Sequence, residues 1–217
     1  GQEIPGAPYY RSGVKSVQYT LSDSGETTIR ASMSVRDRGA LHMLSEEPDQ
    51  NMELQLRYRG NSSRWFDKKS YFLRTVDSKG ESEAQELLGM EKHDNWALHG
   101  PFLDKTLMRN YLGMNISGQI MDYAPDVRFC ELVLDGEYQG VYVLMETVSR
   151  GKGRADVRKP SRESGTTGYI IQFDSASVRS PKALDNFTDY TRVLKPKAQV
   201  LLEYPGERSL TPEIKEY

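Results

Sequence analysis

Between residues 53 and 59 the chain alternates polar with apolar positions, so that Leu54, Leu56 and Tyr58 recur at every second residue. Successive side chains of a strand point to opposite faces, and this period predicts a half-buried strand. Similar alternation over 14–21 and 28–35 predicts two earlier strands, and 70–76 reads as a further one. Gly60-Asn61-Ser62-Ser63 interrupts the pattern as a turn, which places 53–59 and 70–76 side by side and antiparallel, joined by 61–69. The period then changes. Met108, Leu112, Ile116 and Ile120 recur every fourth residue behind Asp104, whose carboxylate suits a helix cap, so a helix is expected over 104–120. Its Met108, Leu112 and Ile116 should lie buried on the sheet, with Lys105 and Asn115 more exposed.

The stretches 128–134 and 138–145 flank Asp135-Gly136, the pair favoured where a two-residue turn demands positive φ, and predict a hairpin. A polar, Gly- and Arg-rich segment over 148–168 reads as an exposed loop. Strands are expected at 168–173 and, as a last pair around Lys195-Pro196-Lys197, at 190–194 and 199–202. Residues 1–13 form a loose lead-in, and 14–210 one lobe. Thr211-Pro212-Glu213 opens a helix that 211–217 leaves cut short, as in a truncated domain.

Composition narrows the function classes. The 217 residues carry 29 Lys plus Arg against 31 Asp plus Glu, so no general basic sheath for nucleic acid is present. No apolar run approaches the roughly 18 residues of a membrane span, and the start lacks the basic and apolar parts of a signal peptide. Cys130 is the single cysteine, which excludes an internal disulfide; its place in a strand marks it as a small core residue. Three scattered histidines beside that cysteine argue against structural zinc.

Phosphate loops, Gly-rich dinucleotide loops, the ordinary protein-kinase signatures and the hydrolase elbow are all missing. One constellation remains. Arg59-Gly60-Asn61-Ser62 puts a cation, a flexible glycine and small polar groups at a strand end, where backbone N–H groups can hold an anion. Lys68-Lys69 open the next strand, and a strand Lys beside such a turn fixes phosphate as a point charge. The same residues also suit a polar loop with two solvated lysines. Glu146 ends an apolar strand and either pairs with Lys69 or lies exposed past the strand end. Asp104 is accounted for by capping and Arg109 by pairing on the helix surface. Asp174 suits a turn cap better than a metal ligand.

Taken in order, these segments resemble the CotH (spore coat protein H) kinase-like family. The resemblance runs through Arg59-Gly60-Asn61-Ser62, Lys68-Lys69-Ser70-Tyr71, Leu87-Leu88-Gly89-Met90, Asn95-Trp96 and Asp104-Lys105-Thr106-Leu107-Met108-Arg109-Asn110. It continues through Phe129, Glu131 and the hairpin Asp135-Gly136-Glu137-Tyr138-Gln139-Gly140-Val141-Tyr142 to Glu146.

The resemblance implies an atypical protein kinase that binds ATP with a divalent metal, magnesium, and phosphorylates protein Ser or Thr. The strand Lys that contacts the nucleotide phosphates maps to Lys69, with Lys68 as the alternative. Glu146 would position it, with Arg59 and Asn61 at the same edge. The family's catalytic Asp and Asn and its metal-binding Asp pair belong to a more C-terminal lobe, so no catalytic or metal-binding residue is expected here, and this chain alone should transfer no phosphate. The expected fold is α+β, a mixed, mostly antiparallel sheet with one main packed helix, equivalent to the N-terminal lobe of an atypical kinase. Expected partners are a protein substrate and a C-terminal lobe of the same polypeptide, at the bacterial envelope, spore coat or cell exterior. The rival reading is a noncatalytic binding module of an envelope or spore protein.

Overall fold

The structure is a computed structural model that describes all residues except 1, 15, 39–40, 162, 176–197, 213 and 215–217. Two compact units divide the chain, Gly1–Thr147 and Val148–Tyr217. In the first, the alternating segments become β3 (Ile29–Val35), β4 (Gln50–Arg59) and β5 (Ser70–Val76). β4 and β5 pair antiparallel from Glu53↔Val76 to Arg59↔Ser70, as their alternation and the turn between them predict. The hairpin β9 (Val127–Leu134) and β10 (Glu137–Glu146) also forms, with Asp135 at φ 48 and Gly136 at φ 82. Among the described residues of 14–21, only β2 (Gln18–Tyr19) is strand. It pairs with β1 (Pro8–Tyr9), and Pro5 accepts the Tyr58 N–H at 2.9 Å, stitching the chain start to β4.

A strand not foreseen, β8 (Asn95–His99), occupies a central position: the sheet runs β3-β4-β5-β8-β10-β9, antiparallel at every pair. A short apolar run, Trp96-Ala97-Leu98, is what a strand buried on both faces looks like, and it carries no alternation to announce it. Its first face carries the larger core, in which Leu54, Leu56, Tyr71, Leu73, Trp96, Leu98, Tyr142 and Leu144 pack together. The hairpin β6 (Gln85–Leu87) and β7 (Met90–His93) adds buried Leu87 and Met90. On the other face Ala97, Val127, Val143 and Met145 form a second cluster under the helix.

Two expectations need correction. The described residues are mostly β, twelve strands against one α-helix, and the sheet is antiparallel rather than mixed, so the α+β kinase-like lobe with a packed helix is not what forms. The helix α1 spans Arg109–Ile120, and its packing side is not the predicted one. Met108, Leu112 and Ile116, expected to be buried, are 46%, 44% and 56% exposed. Tyr111 and Met114 face the sheet instead, Tyr111 stacking on Phe129 at 4.4 Å between ring centres. Asp104 explains the rotation. Its carboxylate accepts the Thr106 and Arg109 N–H groups at 3.1 and 2.8 Å, closing a turn in which Leu107 takes φ 62 before the helix starts. Apolar residues occupy several sides of α1, so a four-residue spacing alone does not select one.

In the second unit, β11 (Ile170–Ser175) pairs antiparallel with β12 (Ala198–Tyr204). The strand expected at 190–194 lies outside the described residues, as do residues 213 and 215–217 of the expected terminal helix. Among its described residues segment 148–168 contains no strand or helix, but it is not all exposed: Arg154 and Thr167 are buried.

Candidate functional site

The end of the sheet where β4 finishes and β5 starts gathers the cations. Gly60 turns the chain there at φ 112, where a side chain is strained, and an added Cβ would meet the Ser63 hydroxyl. A single 3-10 turn, Ser62–Trp65, follows. Asn61 accepts a long hydrogen bond from the Tyr19 hydroxyl at 3.5 Å, and the Arg64 guanidinium lies 4.2 Å from the Tyr19 ring centre.

Lys68 and Lys69 are each held by one backbone carbonyl. Lys68 Nζ donates to Gln139 at 2.9 Å and sits 4.3 Å over the Tyr142 ring; Lys69 Nζ donates to Arg64 at 2.9 Å, beside the Tyr58 ring. An ammonium has three N–H donors, so each lysine keeps donors for another acceptor. Burial lowers the pKa of Lys68 from its ordinary value.

Strand parity assigns Arg57 and Arg59 to the opposite face from Tyr58, Tyr71 and Leu73. Sequence reasoning named Arg59 but passed over Arg57 and His99, although the two-residue spacing of Arg57 and Arg59 already put those arginines on one face. Arg57 lies 4.6 Å over the Phe72 ring. Burial lowers its pKa, and repulsion from Arg64, Arg59 and Arg74 adds to the effect. Among the described residues none of Arg57, Arg59, Arg64, Lys68 and Lys69 forms an ion pair with a carboxylate. A row of cations left without acids holds a standing attraction for anions.

The structure does not bring Lys69 and Glu146 together. Lys68 packs on Tyr142, and Glu146 lies four residues further along β10, about 13 Å at the usual strand rise. Glu146 sits level with Trp96, 4% exposed, and accepts the Asp126 N–H at 3.1 Å and the Tyr123 hydroxyl at 3.3 Å. It therefore ties the start of β9 to the core. Asp104 is engaged in its turn, where the Thr106 hydroxyl and the Arg109 N–H hold its pKa below the ordinary carboxylate value. Arg109 pairs with it at 3.6 Å. Burial pushes the Cys130 thiol up to about 11, so it stays protonated at neutral pH. Asp174 belongs to β11, with its side chain outside the described residues.

His99 gives a pH test of the site. Its ring lies 3.5 Å from the Ser70 hydroxyl, and burial, then the nearby Arg59 charge, lower its pKa against the opposing pull of Asp104. The unfolded chain then binds more protons than the folded one between the depressed value and the ordinary 6.5. Stability must rise with pH across that window, and is fully gained above it. Thermal melts between about pH 5 and pH 8 should show a shallower rise for His99→Gln than for the parent. Equal slopes would place the ring in ordinary solvent.

The profile of the CotH kinase protein family matches residues 56–208, which is more than half of the chain. This chain belongs to that family. The matched region starts inside β4 and takes in both lysines, the helix and the β9–β10 hairpin. Among curated proteins, the inner spore coat protein H of Bacillus subtilis (strain 168) is 28% identical over 97 residues. That stretch is 45% of this CotH-family chain but 24% of the relative, so the similarity spans about a quarter of the relative's length. Among the described residues no three His, Cys, Asp or Glu side chains converge as a metal site would require, so no ligands can be assigned to a divalent ion. No described helix is long and apolar enough to cross a membrane.

Proposed function

We propose that this chain supplies the phosphate-anchoring edge of a CotH-type protein kinase, one that binds ATP and transfers phosphate to Ser or Thr of a protein at the spore coat or envelope. The observation that carries the reading is the pair Lys68 and Lys69. Lys69 is fixed by the Arg64 carbonyl in the turn after Gly60 and Lys68 by the Gln139 carbonyl of β10, each by a single carbonyl, and among the described residues neither is opposed by a carboxylate. Charges fixed in advance and short of partners are what a triphosphate needs, because little reorganisation is required when it arrives. Arg59 on the opposite face and Asn61 at the turn extend the positive field around that edge. Family membership and the name of the curated relative both favour this reading. ATP would supply the transferred phosphoryl group, and the lysines would hold its phosphates; the residues here give no account of the metal.

Calorimetric titration with ATP should detect saturable binding that weakens at least about tenfold when Lys68 and Lys69 are both changed to Ala. The melting temperature of that variant should stay near the parent's, since both side chains lie at the rim of the core. Binding that ignores the double change would remove the lysines from the reading. Complete failure to bind ATP would instead favour a noncatalytic surface module. That second reading draws on the exposed apolar side chains of α1 and on the Tyr10–Trp65 stack at the surface, 5.5 Å between ring centres.

A further inference from the structure

The second unit holds a cavity of about 250 Å³ lined by Arg150, Lys159, Pro160, Tyr204 and Ser209. Arg150 is anchored before any ligand arrives. Its Nε donates to the Val157 carbonyl at 2.9 Å, its backbone bridges to Ala155, and its guanidinium lies 5.9 Å from the Tyr204 ring centre. That arrangement uses one N–H of the guanidinium and leaves the four terminal ones. Lys159 adds an ammonium and Ser209 a hydroxyl, on a 3-10 turn closed by the Ser209 N–H to Gly206 at 2.8 Å. Among the described residues no acidic one lines the cavity, and neither Arg150 nor Lys159 has an ion-pair partner. The two stretches that line it, 150–162 and 203–209, together contain seven Lys or Arg against three acids, Asp156, Glu203 and Glu207.

We propose that this cavity binds a phosphate group, carried either by free phosphate or by a phosphorylated side chain. The donors favour a tetrahedral dianion over a carboxylate. A guanidinium fork grips two oxygens, while an ammonium and a hydroxyl serve the others; a planar carboxylate has only two oxygens to offer. The Tyr204 ring and Pro160 give the cavity an apolar wall that would cover the carbon of a phosphorylated side chain. Size sets the upper limit. Pockets for drug-sized ligands run from roughly 300 to 1,000 Å³, so this one suits a phosphate group and its nearest carbon atoms, not a nucleoside triphosphate. The site shares no residue with the Lys68–Lys69 edge, and its existence does not depend on the kinase reading.

The test is calorimetric titration of the intact 217-residue chain. One arm uses inorganic phosphate, another a short neutral peptide carrying phosphoserine, and a third the same peptide unphosphorylated. Saturable binding of a phosphate-bearing probe is expected, with none for the plain peptide. Arg150→Gln should weaken it at least about tenfold, because a charge-assisted fork is lost, and Lys159→Gln should weaken it several-fold. The Lys68→Ala, Lys69→Ala double variant should keep the Arg150-dependent binding, which separates this site from the one proposed for ATP. Tighter binding of the phosphopeptide identifies a phosphorylated side chain as the occupant; tighter binding of the inorganic ion identifies free phosphate. Should Arg150→Gln fail to fold, Lys159→Gln decides, because that side chain is exposed. No saturable binding up to ~50 mM, far weaker than any specific site, would overturn the proposal. So would unchanged binding in the folded variants at Arg150 or Lys159, or loss of the Arg150-dependent binding in the double lysine variant.

Discussion

Replacing Trp96 by Ala should cost the protein about 3–5 kcal/mol of stability, the usual range for deleting a fully buried aromatic side chain. Trp96 is 0% exposed, the second residue of β8, with Leu73 beside it on one neighbouring strand and Glu146 on the other. Its indole N–H donates to the His93 carbonyl at 3.1 Å, fixing the ring where the β6–β7 hairpin meets the sheet. Truncation opens a cavity that the surrounding strands cannot close, because each is pinned by ladder hydrogen bonds on both sides. It also leaves the His93 carbonyl without this donor. Urea denaturation followed by far-ultraviolet circular dichroism measures the loss directly. A change below about 1 kcal/mol would mean that the ring is not at the centre of the core.

Glu146→Ala should cost about 2–4 kcal/mol, and Glu146→Gln distinctly less. The carboxylate is 4% exposed and accepts both the Asp126 N–H and the Tyr123 hydroxyl. Alanine abandons both donors and leaves a void; glutamine keeps one carbonyl oxygen for them. The comparison separates two roles for this residue. If Glu146 positioned a phosphate-binding lysine, its loss would weaken ATP binding while leaving the melting temperature alone. The geometry predicts the reverse: a lower melting temperature, and ATP affinity held at temperatures where the variant remains folded. A Glu146→Ala protein that melts with the parent but binds ATP poorly would restore the positioning role.

Several features were legible because they are local. Asp135-Gly136 names its own turn, since both residues must adopt positive φ and flanking β-formers leave no other option. The alternation of β4, with Gly60 behind it, fixes both the strand and its partner β5. Glu146 at the end of an apolar run was recognisable as a carboxylate in need of partners, but not which partners. A backbone N–H and a phenol hydroxyl from the segment before β9 meet that need, and nothing in their local sequence marks them as donors.

What the chain by itself determined, then, is where most strands begin and turn, that Lys68 and Lys69 stand at a strand start, and the order of segments that marks the CotH family. Those follow from backbone preferences acting over a few residues and from side-chain period. The tertiary structure alone decided which surfaces meet. It inserted β8 between β5 and β10, and so set Lys69 and Glu146 two strands apart and about four residues out of register. It turned Tyr111 and Met114 of α1 toward the core and left Leu112 and Ile120 outside. Periodicity measures spacing along one element, whereas burial depends on what the rest of the chain places against it, and that information is spread over residues more than a hundred positions apart.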